Sequence, residues 1–206
     1  GVRQWLPMQP AFWSLLLSSR KQRPTKPYAL RQSSPPPPAL LMERAMSEQM
    51  VLDPCCGSRM MWFDKSDPRT IFGDRRSETI VVTDNSRGNA SGTRTLRIEP
   101  DTLMDFRALP FPDGRFKLVA LDPPHLEHAG PRSWLAAKYG KLGENWRDDL
   151  REGFAECWRV LASDGVLVFK WNETQVKVGE VLALAPAKPL FGQVSGRSRM
   201  THWLVF

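Results

Sequence analysis

The residues best suited to chemistry are Asp122-Pro123-Pro124-His125, which follow an apolar run at 116–121. The run predicts a buried strand. Its end would present a carboxylate and unpaired carbonyls at the carboxyl edge of a sheet, where open α/β folds bind ligands. Proline has no N–H group and a fixed φ, so acceptors beside it stay oriented without a competing donor. The His125 imidazole can stack on a planar ligand or take a proton near neutral pH. The tetrapeptide therefore predicts a site that orients hydrogen-bond donors.

A second motif, Asp53-Pro54-Cys55-Cys56-Gly57-Ser58, follows a short strand predicted at 50–52. Gly57 would let the backbone approach a ligand without a clashing Cβ. Asp74 ends the next predicted strand and lies 21 residues after Asp53. That is the spacing of the acid that binds ribose hydroxyls in nucleotide-binding βαβ units, although Asp84 is a competing candidate. Residues 53–59 do not supply the G-x-G-x-x-G pattern of nicotinamide-binding domains, which argues against an oxidoreductase.

The elements that must position these motifs alternate between strand and helix from residue 50 onward, which predicts an α/β fold. The clearest helix spans 146–161, where apolar residues recur at three- and four-residue spacing. The other predicted elements are a brief helix at 58–64, strands at 70–73 and 166–171, an inserted hairpin of 79–82 and 95–98, a helix at 173–185, and a final antiparallel pair of 189–194 and 201–206.

The 206-residue chain carries a formal charge of +7, but this charge is unevenly distributed. Residues 1–50 hold seven Lys or Arg and two Glu, which leaves 22 basic and 20 acidic side chains for 51–206. The nearly neutral body does not by itself indicate a nucleic-acid partner. Three cysteines, without the spacing of a disulfide framework or a zinc site, predict a reducing, cytoplasmic location and no metal. No apolar run approaches the roughly 18–20 residues that cross a bilayer, so no membrane partner is expected.

Residues 1–45 differ from the remainder because they are basic, contain four consecutive prolines at 35–38 and show no helical or strand period. They predict a disordered leader, followed by a single domain at 46–206. Two explanations of the leader stay open. Either the native start lies at Met42 or Met46 and the leader is foreign to the protein, or the leader is a basic arm that helps to hold a nucleic acid.

Together the two motifs resemble those of class I S-adenosylmethionine-dependent methyltransferases, over about 51–206. The likeness is closest to enzymes with an Asp-Pro-Pro-Tyr type of motif, which methylate exocyclic amino groups of nucleobases. Residues 53–58 resemble the Asp-Pro-Phe-x-Gly-Ser-Gly cofactor motif, but Arg59 stands where its last glycine is usual. Arg59 would pair with the methionine carboxylate or cap a tighter turn. The resemblance implies a Rossmann-like α/β fold: a mostly parallel seven-stranded sheet with an antiparallel C-terminal strand pair and helices on both faces.

The resemblance also assigns roles to residues. The Asp122 carboxylate and the Pro123 carbonyl would accept hydrogen bonds from an amino group and so localise its lone pair. His125 takes the place of the usual aromatic residue that stacks on a flipped-out base, and either stacking or proton transfer would suit it. Segment 105–114 resembles the family's acidic adenine-contact motif and the turn that follows it. The implied cofactor is S-adenosyl-L-methionine, bound by Asp53, Cys55, Gly57, Asp74, Asp105, Phe106 and Asp122, with Asp122, Pro123, Pro124 and His125 as the catalytic motif.

The stretch after the tetrapeptide and the end of strand 166–171 mix basic, aromatic and amide side chains. They would form a wall for a base and its phosphates, or a lid that is packed for structural reasons. Runs at 55–65, 122–126, 138–142 and 169–173 also resemble small methyltransferases of phages and prophages. The predicted substrate is an amino group in DNA or RNA, and sequence-specific reading would either need a targeting partner protein or be loose. The alternatives are a small-molecule or protein methyltransferase and a non-catalytic cofactor-binding module. The candidate substrate residues are Trp134, Lys138, Tyr139, Lys170 and Asn172.

Overall fold

The computed structural model describes residues 49–84, 88–130 and 133–206. The predicted leader at 1–45 lies outside these residues. No helix within the described residues is long and apolar enough to cross a membrane. Over the same ranges, no group of three or more His, Cys, Asp or Glu side chains is arranged to hold a metal ion.

Nine strands and three helices make up the described fold. The strands are β1 (Val51–Asp53), β2 (Thr70–Asp74), β3 (Glu78–Thr83), β4 (Thr93–Ile98), β5 (Thr102–Leu103), β6 (Phe116–Leu121), β7 (Leu161–Asn172), β8 (Phe191–Ser195) and β9 (Thr201–Val205). The helices are α1 (Trp134–Tyr139), α2 (Trp146–Val160) and α3 (Val178–Leu182).

Seven of the strands form one sheet in the order β5-β2-β1-β6-β7-β9-β8. Pairs among β5, β2, β1, β6 and β7 are parallel, whereas β9 runs antiparallel to both β7 and β8. This arrangement is that of the class I methyltransferase fold and confirms the predicted fold class. The chain reverses its direction of travel across the sheet between β1 and β6, which is where open α/β sheets form a ligand crevice.

Helix α2 is held to the sheet by the apolar face that its spacing predicts. Leu150, Phe154, Cys157 and Val160 are buried and share a core cluster with the buried residues of β6 and β7. Burying an aromatic or aliphatic side chain of this kind stabilises a fold by roughly 1.5–3 kcal/mol. The packing therefore fixes the carboxyl ends of β6 and β7, which carry the predicted catalytic tetrapeptide and Lys170.

The predicted hairpin forms a separate two-stranded sheet of β3 and β4. Two of the predicted helices differ from the structure. Residues 58–66 form turns, because Arg59 adopts a left-handed φ of 55° that a right-handed helix excludes. The helix predicted at 173–185 shortens to α3, since Asn172 Oδ1 accepts a hydrogen bond from the Thr174 backbone N–H at 3.1 Å. Such local side-chain bonds compete with helix formation.

Candidate active site

Three carboxylates meet at the carboxyl edge of the sheet. Asp53 ends β1, Asp74 ends β2, and Asp122 directly follows β6. All three line one cleft, together with Gly57 and Pro124. The two predicted motifs therefore lie at one site, because they follow β1 and β6, which are neighbours in the sheet.

Asp53 is fully buried and organises the turn that follows β1. One carboxylate oxygen accepts the Cys55 backbone N–H at 3.2 Å, and the other accepts the Trp62 indole N–H at 2.7 Å. Burial raises the pKa of Asp53 to about 7, and the charges of Asp122 and Asp74 act in the same direction. Asp53 thus holds the turn after β1 in place and keeps its proton to a higher pH than an exposed carboxyl does.

Asp74 bridges the two sides of the cleft. Its Oδ2 accepts the Gly57 backbone N–H at 2.9 Å, and its Oδ1 accepts the Arg76 backbone N–H at 2.9 Å. The competing acid, Asp84, lies in the hairpin, accepts a hydrogen bond from Arg94 Nε at 2.6 Å and is outside the cleft lining. Gly57 has a left-handed φ of 50°, and a Cβ there would lie 3.6 Å from the Lys138 carbonyl oxygen. These contacts bring Asp74 to the cofactor turn.

Arg59 points away from the cleft lining. Its guanidinium donates to the Lys65 and Glu99 carbonyls at 2.6 and 2.7 Å and to Asp101 at 2.7 Å. It also lies 4.0 Å from the centroid of the Phe72 ring. Of the two roles considered for Arg59, the structure supports the turn cap, because the guanidinium is already occupied by protein acceptors.

Phe106 lines the cleft and packs directly on helix α2. A Cβ at Gly153 would lie 2.2 Å from the Phe106 ring, so only glycine lets the ring sit against the helix here. The neighbouring turn is tied to α2 by a hydrogen bond from the Leu109 backbone N–H to Glu156 at 2.8 Å.

Asp105 is outside the cleft lining. Its carboxylate accepts two hydrogen bonds from the Arg107 guanidinium, from Nε at 3.0 Å and from Nη2 at 2.7 Å. The Arg107 guanidinium lowers the pKa of Asp105. Its predicted contact with adenine stays a prediction, and in the structure the carboxylate faces Arg107, which itself lines the cleft.

Asp122 is paired with Lys170, whose ammonium donates to Oδ2 of the carboxylate. Both side chains are largely buried, at 13% and 19% exposure. The same ammonium lies 5.6 Å from the ring centroid of Tyr139 and 5.5 Å from that of Trp203. A nitrogen donor therefore already occupies one oxygen of the predicted catalytic acid, between two aromatic side chains.

His125, the last residue of the tetrapeptide, is buried, with 8% of its surface exposed. Its ring centroid lies 5.3 Å from that of Tyr139 and 6.3 Å from that of Trp171. Burial lowers the pKa of His125, with Asp122 opposing this effect and Lys170 adding to it. The imidazole is therefore neutral at pH 7, but it is outside the cleft lining, and Tyr139 is the aromatic ring that lines the cleft beside it.

The other predicted substrate residues are distributed unevenly. Lys138 and Tyr139 line the cleft, whereas Trp134 and Asn172 are outside its lining. The Lys138 ammonium lies 5.5 Å from the Trp134 ring centroid. Asn172 donates to Thr201 Oγ1 at 3.1 Å, which joins β7 to β9. Asn172 therefore has a structural contact instead of an open face toward the cleft.

The neighbouring thiols of Cys55 and Cys56, in the turn after β1, stay protonated at neutral pH. Burial raises the pKa of Cys56 to about 12, and it raises that of Cys55 as well. Because the thiolate is the reactive form, neither thiol is a nucleophile at neutral pH. Cys55 contributes to the cleft as a small apolar wall residue.

Three residues of the site were missed by the sequence analysis. Trp62 donates to Asp53, Arg76 joins Asp74 to the carbonyls of Ala137 and Lys138, and Trp203 packs beside the Lys170 ammonium. Arg76 is the second residue after the strand that ends at Asp74, and this position is a usable signal. Trp203 and Trp62 could not be found in this way, because their contacts depend on the pairing of β9 with β7 and on the turn that brings Trp62 back to β1.

No protein-family model and no curated protein matches the chain. It is similar to the solved structure of the PH0226 protein from Pyrococcus horikoshii OT3, at 17% identity over 81% of this chain and 85% of that one, with a TM-score of 0.47. A TehB-like SAM-dependent methyltransferase from Corynebacterium glutamicum is 16% identical over 82% of this chain and 84% of that one, with a TM-score of 0.48. The antibiotic-resistance methyltransferase Kmr is 15% identical over 84% and 95%, with a TM-score of 0.41. At such identities the functional argument rests on the site itself.

Proposed function

We propose that the protein is an S-adenosylmethionine-dependent methyltransferase that acts on an exocyclic amino nitrogen of a nucleobase in DNA or RNA. One observation carries the proposal: the Asp122 carboxylate lines the same cleft as Gly57 and Asp74. In a class I sheet with this crevice, Asp74 at the end of β2 would be the cofactor acid and Asp122 after β6 the amino-binding acid, on either side of β1. The motif spacing, the Asp-Pro-Pro sequence and the likeness to amino-methyltransferases and to small phage enzymes support the same choice.

The side chains of the cleft suit S-adenosylmethionine. Asp74 has two carboxylate oxygens, which can accept ribose hydroxyls in addition to their present backbone donors. Met104, Phe106 and Leu150 supply an apolar slot of the kind that an adenine ring requires. The turn at Gly57 leaves backbone room for the methionine part. The sulfonium methyl group would be the electrophile when the cofactor is bound.

The chain's own residues would prepare the nucleophile. A nucleobase amino nitrogen is a poor nucleophile because its lone pair is delocalised into the ring. Hydrogen bonds from the amino group to Asp122 and to the Pro123 carbonyl would localise that lone pair, and Tyr139 would support the base by stacking. Holding the nitrogen in line with the methyl group reduces the remaining barrier.

The local charge favours a neutral amine attached to an anionic polymer. Five basic side chains and four carboxylates line the cleft, and one of those carboxylates, Asp122, is neutralised by Lys170. Asp53 contributes at most a partial charge, because its pKa of about 7 leaves it half protonated. This excess of cations would repel a protonated amine such as a lysine side chain, whereas it would attract a nucleotide phosphate.

The Asp122–Lys170 pair also favours one second candidate, a non-catalytic cofactor-binding module. In that case Lys170 would keep the carboxylate permanently occupied and no amine would reach it. The module would bind the cofactor as an enzyme does, but it would transfer no methyl group to any acceptor.

The test begins with calorimetric titration of S-adenosylmethionine and S-adenosylhomocysteine into the protein, with NADH as the control ligand. We expect micromolar binding of the first two, weakened by roughly 1–3 kcal/mol in Asp74→Ala because buried hydroxyls would lose their acceptor. No binding in the unaltered protein would refute the cofactor assignment.

Tritiated-methyl transfer to DNA, RNA, free nucleosides and a lysine peptide then identifies the acceptor. Asp122→Ala should abolish transfer and leave S-adenosylhomocysteine affinity within a few-fold. Asp164→Ala is the matched control, because Asp164 is 70% exposed and pairs with Lys117, and neither residue lines the cleft. Transfer to nucleic acid should fall steeply with salt. Cofactor binding without transfer to any acceptor would favour the module.

A further inference from the structure

We propose that Arg76 is a positioning residue that couples cofactor binding at Asp74 to the docking of helix α1 over the catalytic motif. The inference rests on the proposed function, because Asp74 is taken to be the cofactor acid. It concerns a contact that neither sequence motif includes.

The Arg76 side chain joins two elements that are distant in sequence. Its NH1 donates to the Ala137 carbonyl at 3.0 Å and its NH2 donates to the Lys138 carbonyl at 3.3 Å. Its Nε lies 3.4 Å from Asp74 Oδ1, and its own backbone N–H donates to the same oxygen. The guanidinium therefore spans from the end of β2 to the last turn of α1.

Helix α1 depends on polar contacts for its position. None of its six residues is buried or belongs to the apolar core cluster, and the half-buried Tyr139 ring beside His125 supplies its aromatic contact with the body of the protein. Carbonyl groups in the last turn of a helix lack intrahelical partners, and a cation there also complements the helix dipole. Arg76 provides both a hydrogen-bond donor pair and that positive charge.

The docked helix reaches both halves of the site. The Lys138 carbonyl oxygen lies 3.6 Å from the Cβ position at Gly57, in the cofactor turn. A Cβ at Gly140 would lie 3.2 Å from the Pro124 ring, and Tyr139 packs beside His125 with ring centroids 5.3 Å apart. Displacing α1 would therefore open the cofactor turn and remove the aromatic ring beside the catalytic acid.

Coupling between the two halves follows from the shared carboxylate. Ribose hydroxyls on Asp74 would fix the carboxylate in the orientation that receives Arg76, so cofactor binding would stabilise the docked helix. By linkage, the docked helix must strengthen cofactor binding by the same factor. A lysine at position 76 would keep the charge but lack the planar pair of donors that holds two carbonyls at once.

The test is amide hydrogen exchange of residues 134–140 in the full chain, with and without S-adenosylhomocysteine. In the unaltered protein the Ala137 and Gly140 amides, which donate to Ser133 and Ala136, should be protected, and the ligand should increase that protection. Arg76→Ala should lose roughly tenfold or more of the protection and weaken S-adenosylhomocysteine by a similar factor. Arg76→Lys should fall between the two.

Arg151→Ala serves as the control, because Arg151 is exposed on α2 and pairs only with Asp148 among the ion pairs described here. Equal protection of 134–140 in Arg76→Ala and the unaltered protein would overturn the inference. So would a loss of protection with no change in ligand affinity, because the coupling would then be absent. If the unaltered protein failed to bind S-adenosylhomocysteine, the proposed function would fail. Exchange without ligand would still decide whether Arg76 docks the helix.

Discussion

Replacing Asp53 with asparagine should change how stability depends on pH. The carboxyl is fully buried, and its pKa rises from 3.8 to about 7 because burial disfavours the charged form. The folded protein therefore retains a proton on Asp53 between about pH 4 and 7 that the unfolded chain releases. The free energy of unfolding must fall as pH rises through this window. Each pKa unit corresponds to about 1.36 kcal/mol, so the total fall is at most about 4 kcal/mol.

Asp53→Asn removes this dependence and adds a fixed cost. Both carboxylate oxygens accept hydrogen bonds, from Cys55 and from Trp62, and an amide can accept only one of them. An unsatisfied buried donor costs about 1–3 kcal/mol. The stability of the variant relative to the unaltered protein should therefore rise by about 3 kcal/mol between pH 5 and pH 8, and at pH 8 the variant should be at least as stable.

Urea unfolding of both proteins, at steps of half a pH unit from pH 5 to 8, measures this change in relative stability. Asp164→Asn is the control, because Asp164 is exposed and the Lys117 ammonium lowers its pKa instead of raising it. The control should keep the slope of the unaltered protein between pH 5 and 8. A constant difference between Asp53→Asn and the unaltered protein across this range would refute the reasoning, since Asp53 would then be ionised throughout.

Three further predictions concern packing and charge. Arg59→Ala should lower the free energy of urea unfolding by about 1–3 kcal/mol, since it removes three charged hydrogen bonds. Arg59→Gly should lower it by roughly 1 kcal/mol less, because glycine tolerates the left-handed φ of 55°; equal losses would contradict a strained backbone. Gly153→Ala should destabilise the fold by about 1–3 kcal/mol in thermal unfolding, because its Cβ would clash with Phe106. Gly179→Ala, in α3 with open space around it, should be neutral or slightly stabilising, and similar effects of the two alanines would refute the clash. Lys170→Met should lower the free energy of urea unfolding, because it leaves the largely buried Asp122 carboxylate without the cation that donates to it; an unchanged free energy would mean that the pair does not stabilise the fold.

The fold was predictable because its signals are local. The apolar run at 116–121 and the spacing of Leu150, Phe154 and Cys157 gave β6 and α2 within a residue or two. The choice of Asp74 over Asp84 followed from the expectation that the hairpin is an insert, and the structure has it as a separate sheet. Strand ends and periodicity were enough to bring three carboxylates to one edge.

The parts that could not be predicted depend on contacts between distant segments. The hydrogen bonds of Arg76 to α1 join residues that are separated by 61 and by 62 positions in the sequence. No local sequence pattern predicts such bonds. The turns at 58–66 replaced a predicted helix because Arg59 finds acceptors near residues 65, 99 and 101. Such contacts offset the cost of an unfavourable φ only after the chain has folded around them.

The order of strands at the carboxyl-terminal side also has a consequence for folding. Strand β9 lies inside the sheet between β7 and β8, although it follows both in sequence. Neither β8 nor that side of β7 can find its hydrogen-bonding partner until residues 201–205 have been synthesised. A truncation after residue 200 would therefore remove two strands from the sheet instead of one, and β7 would become an unpaired edge. It would also remove Trp203, the register partner of Lys170. The pairing of β9 therefore completes the sheet and the surroundings of Lys170 in the same step.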